Sequence, residues 1–356
     1  MKKSGNIYIK IIATASGFAI AAAIVYGLMI AQHLMVPFVF AFLLWYLINT
    51  AEKALGRVRL KGFSMPRWLR IFIALVILAM AFNLVAEILA TNVTRIIDSA
   101  PSYQRNLERL LMDLPFGMEP EEIPALTWIT QEFNIGRFMQ RAAMEFAGIL
   151  GNLGLILIYL IFLFLEQRYF DTKLQMASSS KKKYRFVKEI LSEVDKDIRR
   201  YVGVKTLLSL ATAAGSWLIM RGVGLEFASF WALLIFIFNF IPNIGSLIAT
   251  IMPVILALLQ FETTRPALII FLGVGALQFT IGNFIDPALL GKSLNVSPLA
   301  IILSLVFWGT IWKIPGMFLS VPITVIIIII LNSFDRTRWV AQMLSKDGSL
   351  KSLHTS

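Results

Sequence analysis

The chain is 356 residues long with 58% hydrophobic side chains, 15% charged ones and a net charge of +12, and its repeated apolar runs of membrane length exclude a soluble protein. The basic excess lies in loops: the stretches 1–10, 52–70, 166–205 and beyond 332 hold 24 of the 33 Lys and Arg, whereas 93–147 has 5 against 8 Asp and Glu. That is a positive-inside topology pattern, which places both termini in the cytoplasm and argues against nucleic acid as a partner; the absence of cysteine also excludes a disulfide framework, a thiolate metal site and a cysteine nucleophile.

In chain order, residues 1–92 read as transmembrane helices 1 to 3. Lys2, Lys3 and Lys10 precede the apolar run 11–31, which is too long for a cleaved leader; 38–48 follows, then a basic loop, then 71–91. Residues 93–147 read as an extracytoplasmic helical insert punctuated by Pro115, Pro120 and Pro124. The fourth span is 148–166, where Gly148, Gly151 and Gly154 offer a close helix approach. Residues 167–200 read as a cytoplasmic basic amphipathic helix whose stripe of Ile190, Val194, Ile198 and Tyr201 meets either the anionic bilayer surface or protein. Glu166 and Lys205 bracket the same cytoplasmic edge, so they are expected to pair, unless Lys205 simply snorkels to the headgroups.

A transport core is expected over 201–331, with helix 5, an interrupted segment 228–261, a span 267–285 and a second interrupted segment 299–331, followed by a cytoplasmic tail 332–356. The first interruption is Asn239-Phe240-Ile241-Pro242-Asn243-Ile244-Gly245, and the second is Trp312-Lys313-Ile314-Pro315-Gly316. Arms of about 14 residues reach roughly 21 Å, short of a hydrocarbon core of about 30 Å. Arm length therefore favours re-entrant hairpins over full spans, with Pro242, Gly245, Pro315 and Gly316 shaping the turns. The first hairpin would enter from outside and the second from the cytoplasm, which is the arrangement alternating access needs.

Asp286, in Gly282-Asn283-Phe284-Ile285-Asp286-Pro287, is the sharpest coupling candidate, because a carboxylate between two hairpins can exchange a proton for a cation or a substrate contact. Its bland alternatives are a turn cap before Pro287 or a pair with Lys292. Asn239, Asn243, Gln278 and Asn283 supply neutral donors and acceptors suited to an uncharged polar substrate, and equally suited to interhelical hydrogen bonds. Gly291-Lys292-Ser293 is not a phosphate loop, since Asp286 stands where its first glycine is required. With only two histidines and no protease or hydrolase motif, neither an enzyme nor a cofactor is expected.

The ordered series Tyr201-Val-x-Val-Lys205-Thr206, Asn239-x-Ile-Pro242-Asn243-Ile-Gly245, Gly282-Asn283-x-x-Asp286-Pro287 and Pro315-Gly316-Met-x-x-Ser320-Val321-Pro322 resembles the autoinducer-2 exporter family of bacterial transporters. The resemblance implies an all-helical inner-membrane secondary transporter and a homo-oligomer. It also implies export of a small polar signalling molecule coupled to H+ or Na+, or, in other members, Na+(Li+)/H+ antiport. Asp286 stands where relatives often carry Glu, and the Trp312–Gly316 break exchanges a flexible glycine for a cation. A channel, or a scaffold acting through the basic helix, is the reading from a different class.

Overall fold

The computed structural model describes residues 2–57, 65–112, 151–290 and 295–350, with Gln140, Arg141, Met144 and Gly148 between the second and third of these. The described residues are all-helical. α1 (Lys2–Ile30) and α2 (Gln32–Arg57) are joined at Ala31, and α3 runs from Arg67 to Met112. α4 (Leu153–Gln167) and α5 (Phe170–Ala177) meet at a 64° bend. α6 (Lys181–Gly222) is capped by the Ser180 hydroxyl, which accepts from the Lys183 amide at 3.2 Å. It is closed by Gly224 at φ +78, where the Leu225 amide donates to the Met220 carbonyl at 2.9 Å. Then come α7 (Ala228–Phe238), α8 (Ile244–Gln260), α9 (Arg265–Thr280), a π-helical turn (Ile281–Ile285), α10 (Asp286–Leu290), α11 (Pro298–Asn332) and α12 (Arg338–Leu344).

Among the described residues, five stretches are long and apolar enough to cross a bilayer: Gln32–Gly56, Arg67–Asn92, Lys181–Gly222, Arg265–Leu290 and Pro298–Asn332; the bent α4–α5 pair makes a sixth if it counts as one span. Large apolar side chains such as Phe18, Leu207, Leu218, Leu272, Phe279 and Leu303 stand exposed on the outer faces, as a lipid solvent allows.

Two elements reverse direction. α7 and α8 are a hairpin: Gln260, at the far end of α8, accepts from the Glu226 amide at 2.7 Å and donates to the Gly224 carbonyl at 2.9 Å, both just before α7. α11 is also folded back, with non-helical backbone at Trp312 and Lys313. Ser304 hydrogen-bonds the Ser320 carbonyl at 3.1 Å and also bonds the Thr324 hydroxyl, contacts that a straight helix would hold about 24–30 Å apart. The first hairpin opens at the carboxyl end of α6. The second opens toward the amino-terminal half of α6, where Val296 and Ala341 share a core with Ile190, Val194 and Ile198. The two hairpins thus open toward opposite ends of one helix.

Among the described residues, a core forms around each hairpin. One gathers Phe230, Trp231, Leu234, Leu256, Ile270 and Val274 around the first hairpin. The other gathers Tyr46, Ile198, Tyr201, Leu319, Val325 and Ala341 around the second.

Several boundaries differ from the sequence expectation. The basic amphipathic segment and the fifth span are one helix of 42 residues, because the chain around 200–201 holds no breaker and Ile190, Val194, Ile198 and Tyr201 bury against protein. α3 does not stop at residue 92 but continues to Met112, where Tyr103 hydrogen-bonds Glu226 and Asn106 donates to the Leu259 carbonyl at 2.7 Å. A Cβ added to Gly148, Gly151 or Gly154 would meet nothing within 4 Å, so no close helix approach rests on these glycines among the described residues. Pro115, Pro120, Pro124, Gly291, Lys292 and Ser293 lie outside the described residues.

Candidate functional site

α6 and α9 pack closely because glycines face bulk: a Cβ on Gly215 would meet Leu277 at 2.7 Å, and one on Gly273 would meet Ile219 at 3.1 Å. This antiparallel register carries α9 down α6 toward Lys205. The buried stripe of α9 runs Ala267, Ile270, Val274, Gln278, Ile281 at helical spacing, so an uninterrupted α-helix would next present Ile285. The π-turn takes up one extra residue, the Asp286 amide bonding back to the Ile281 carbonyl. Ile285 is left 38% exposed, and Asp286 turns inward instead.

There Lys205 Nζ donates to Asp286 Oδ2 at 2.8 Å, with the two side chains 14% and 17% exposed. Asp286 Oδ1 and the hydroxyl of buried Tyr201, one turn earlier on α6, are buried with no hydrogen-bond partner among the described residues. The chemistry available is a carboxylate that can hold a cation or take a proton, beside an amine that it releases when neutralised. Arg200 pins the next turn by donating to the Leu289 carbonyl from Nε at 3.2 Å and Nη2 at 2.8 Å.

Two helical turns further along α6, about 10 Å away, sits the tip of the first hairpin. Asn239 Nδ2 donates to Thr212 Oγ1 at 3.2 Å, and Thr212 in turn donates to the Leu208 carbonyl at 2.8 Å. Asn243 adopts φ 58, ψ −57, and the Ile244 amide reaches the Pro242 carbonyl at 2.6 Å, a tight γ-turn. Gly245 permits it, since a Cβ there would lie 1.8 Å from the Phe238 carbonyl oxygen. The second tip is built alike: Lys313 has φ 54, ψ −136, and a Cβ on Gly316 would lie 1.9 Å from the Trp308 carbonyl oxygen. Trp312 Nε1 ties this tip to the Leu28 carbonyl of α1 at 3.1 Å. Phe240 of the first tip stacks on Phe318, just beyond the second, with ring centroids 4.4 Å apart.

The expected site residues therefore separate. Asn239 is buried against the helix that carries the ion pair, and Gln278 is buried on the inward stripe of α9, its Nε2 without a partner among the described residues. Asn243 is exposed at the hairpin tip, and Asn283 is exposed with its amide donating to its own helix at the Phe279 carbonyl, 3.0 Å away. The expected Glu166–Lys205 pair does not form. The 64° bend after α4 leaves Glu166 at the surface, where it takes Lys173 at 2.6 Å, whereas Lys205 lies on the inner face of α6 within reach of Asp286.

Sequence reasoning missed two features. Thr212 is the tip's anchor and has no motif to mark it. A cavity of about 370 Å³ beside the second tip is lined by Gln32, His33, Asn152, Lys313 and Pro315. Its signals were the polar Gln32-His33 step between two apolar runs and the cation in the turn.

A family profile described as AI-2E family transporter matches residues 18–336. The "Putative transport protein" of Haemophilus influenzae is 29% identical over 342 residues, covering 93% of this chain and 95% of that protein. The "AI-2 transport protein TqsA" of Escherichia coli is 27% identical over 333 residues, covering 90% of this chain and 91% of that protein.

Proposed function

This chain belongs to the AI-2E transporter family, and on that premise we propose that it is a secondary exporter of a small polar metabolite or signalling molecule of the autoinducer-2 kind, coupled to an ion gradient through Asp286. It is a multi-span membrane protein of a bacterial transporter family, and we place it in the inner membrane with both termini cytoplasmic, as a homo-oligomer. The observation that carries the coupling assignment is the Lys205–Asp286 pair, held at 2.8 Å by a π-turn. π-Turns inside helices recur at functional sites, and a largely buried ionisable pair in a spanning helix marks ion pathways. Protonation of Asp286 cancels the attraction that holds Lys205, and the α9–α6 contact beneath the hairpin tips loosens. Deprotonation restores it. The hairpins entering from opposite ends, with Phe240 on Phe318 where they meet, are the two halves that part and re-form as the substrate passes. Asn239 and Gln278 are the substrate amides, with Asn243 at the tip; Asn283, exposed and bonded to its own helix, lies off this path.

A second reading, Na+(Li+)/H+ antiport, is favoured by the unpartnered Oδ1 of Asp286, an oxygen with lone pairs free for a cation. Everted membrane vesicles energised by respiration test both. Protonophore-sensitive uptake of autoinducer-2 that Asp286→Asn abolishes supports the exporter. Collapse of the pH gradient on adding Na+ or Li+, lost in the same variant, supports the antiporter. Absence of both, in vesicles that contain the protein, overturns the coupling assignment.

A further inference from the structure

Away from the ion pair, a cavity of about 700 Å³ lies between the end of α2 and the middle of α6. Its polar wall carries four cations, Lys53, Lys196, Arg199 and Arg200, against a single carboxylate, Asp195. That carboxylate is taken by Arg199 Nη2 at 2.6 Å. The Arg199 guanidinium lies over the Tyr46 ring, 5.7 Å from its centroid, and its Nη1 is buried with no partner among the described residues. Neither Lys53 nor Lys196 has a carboxylate within salt-bridge distance among the described residues. The other wall is apolar: Val204 and Leu207 follow on the next turn of α6, and Leu207 is 62% exposed among the outward-facing side chains of the spanning segment.

The four cations outnumber the two carboxylates near them, Asp195 and Asp197, and they cap an apolar, lipid-facing wall. The geometry points to a site for a phosphate-ester anion delivered by a membrane lipid, the headgroup of an anionic phospholipid, with its acyl chains along Val204 and Leu207. Lys53 and Lys196, with the guanidinium groups of Arg199 and Arg200, supply the donors. A soluble phosphate would use the cations alone and leave the apolar wall idle. A bound headgroup bridges α2 to α6 one turn from Lys205, so it braces the helix that carries the ion pair.

The test uses the full-length protein, purified and delipidated in neutral detergent. Phosphatidylglycerol added in mixed micelles is expected to raise Tm by about 3–6 °C, with phosphatidylcholine giving no rise. The double variant Lys53→Gln/Lys196→Gln, whose side chains make no salt bridge, should fold normally and lose most of that rise. Lys182→Gln/Lys183→Gln, at the remote start of α6, should keep it. Equal loss in both variants would reduce the effect to general surface charge and overturn the site. A rise with inorganic phosphate or glycerol phosphate equal to that with the lipid would overturn the lipid assignment. Failure of phosphatidylglycerol to shift the parent protein would remove the proposal altogether.

Discussion

Lys205 Nζ lies 2.8 Å from Asp286 Oδ2, and both side chains are more than four-fifths buried. Removing one partner strands the other charge away from water, which typically costs about 3–5 kcal/mol, whereas removing both is far milder. Asp286→Ala and Lys205→Ala should therefore each lower Tm sharply, while the double variant recovers much of the loss. Thermal unfolding of the purified protein checks this. Under the coupling proposal, transport stays abolished in all three, which separates stability from function.

The two hairpin turns rest on glycines that back onto carbonyl oxygens of the incoming arm. Gly245→Ala and Gly316→Ala should abolish or severely reduce folded protein, because each Cβ would collide with main chain, at 1.8 and 1.9 Å, and backbone cannot step aside as a flexible side chain does. Gly27→Ala, where nothing lies within 4 Å, should leave the yield unchanged. Fluorescence-detected size-exclusion chromatography reads the difference.

Lys313 occupies φ 54, ψ −136, backbone that glycine adopts far more readily than any side-chain-bearing residue. Lys313→Gly should raise stability, by about 1 kcal/mol or more from relieved strain. If the lysine charge serves the cavity that it lines with His33 and Asn152, transport falls even as Tm rises. A rise in both would mean that the strained lysine has no transport role.

Phe240 and Phe318 join the two tips. The chain has no native cysteine, so Phe240→Cys/Phe318→Cys can be bridged selectively with a short bifunctional thiol reagent. Cross-linked protein should bind substrate but fail to move it, and reduction of a cleavable linker should restore flux. Full transport while cross-linked would sink the idea that the tips separate.

Gln260 closes the mouth of the first hairpin with two main-chain bonds, of 2.7 and 2.9 Å. Gln260→Leu should cost about 1–3 kcal/mol and increase protease nicking at 261–264. Gln260→Glu keeps the acceptor for the Glu226 amide but loses the donor to Gly224, and should fall between.

By itself the sequence determined the membrane class, the helical content and the positions of both breaks. These follow from local chemistry: long apolar runs admit only structures that satisfy their own backbone, and Pro-Asn-Ile-Gly or Lys-Ile-Pro-Gly interrupts a helix wherever it stands. Asp286 was legible as a charge in an apolar setting, although its partner was not. Pairing depends on which face each helix turns inward, and a single-residue π-turn resets that face without any signature in hydropathy. The tertiary structure alone decided that Lys205 meets Asp286 while Glu166 turns to Lys173, that Asn239 anchors on Thr212 while Asn283 faces outward, and that the cations of α2 and α6 share one cavity. The Lys205–Asp286 pair, the Asn239–Thr212 bond and the shared cavity join residues far apart in the chain, and the local Glu166–Lys173 pair follows from the bend after α4, so each is set by helix direction and register, which only the folded structure fixes.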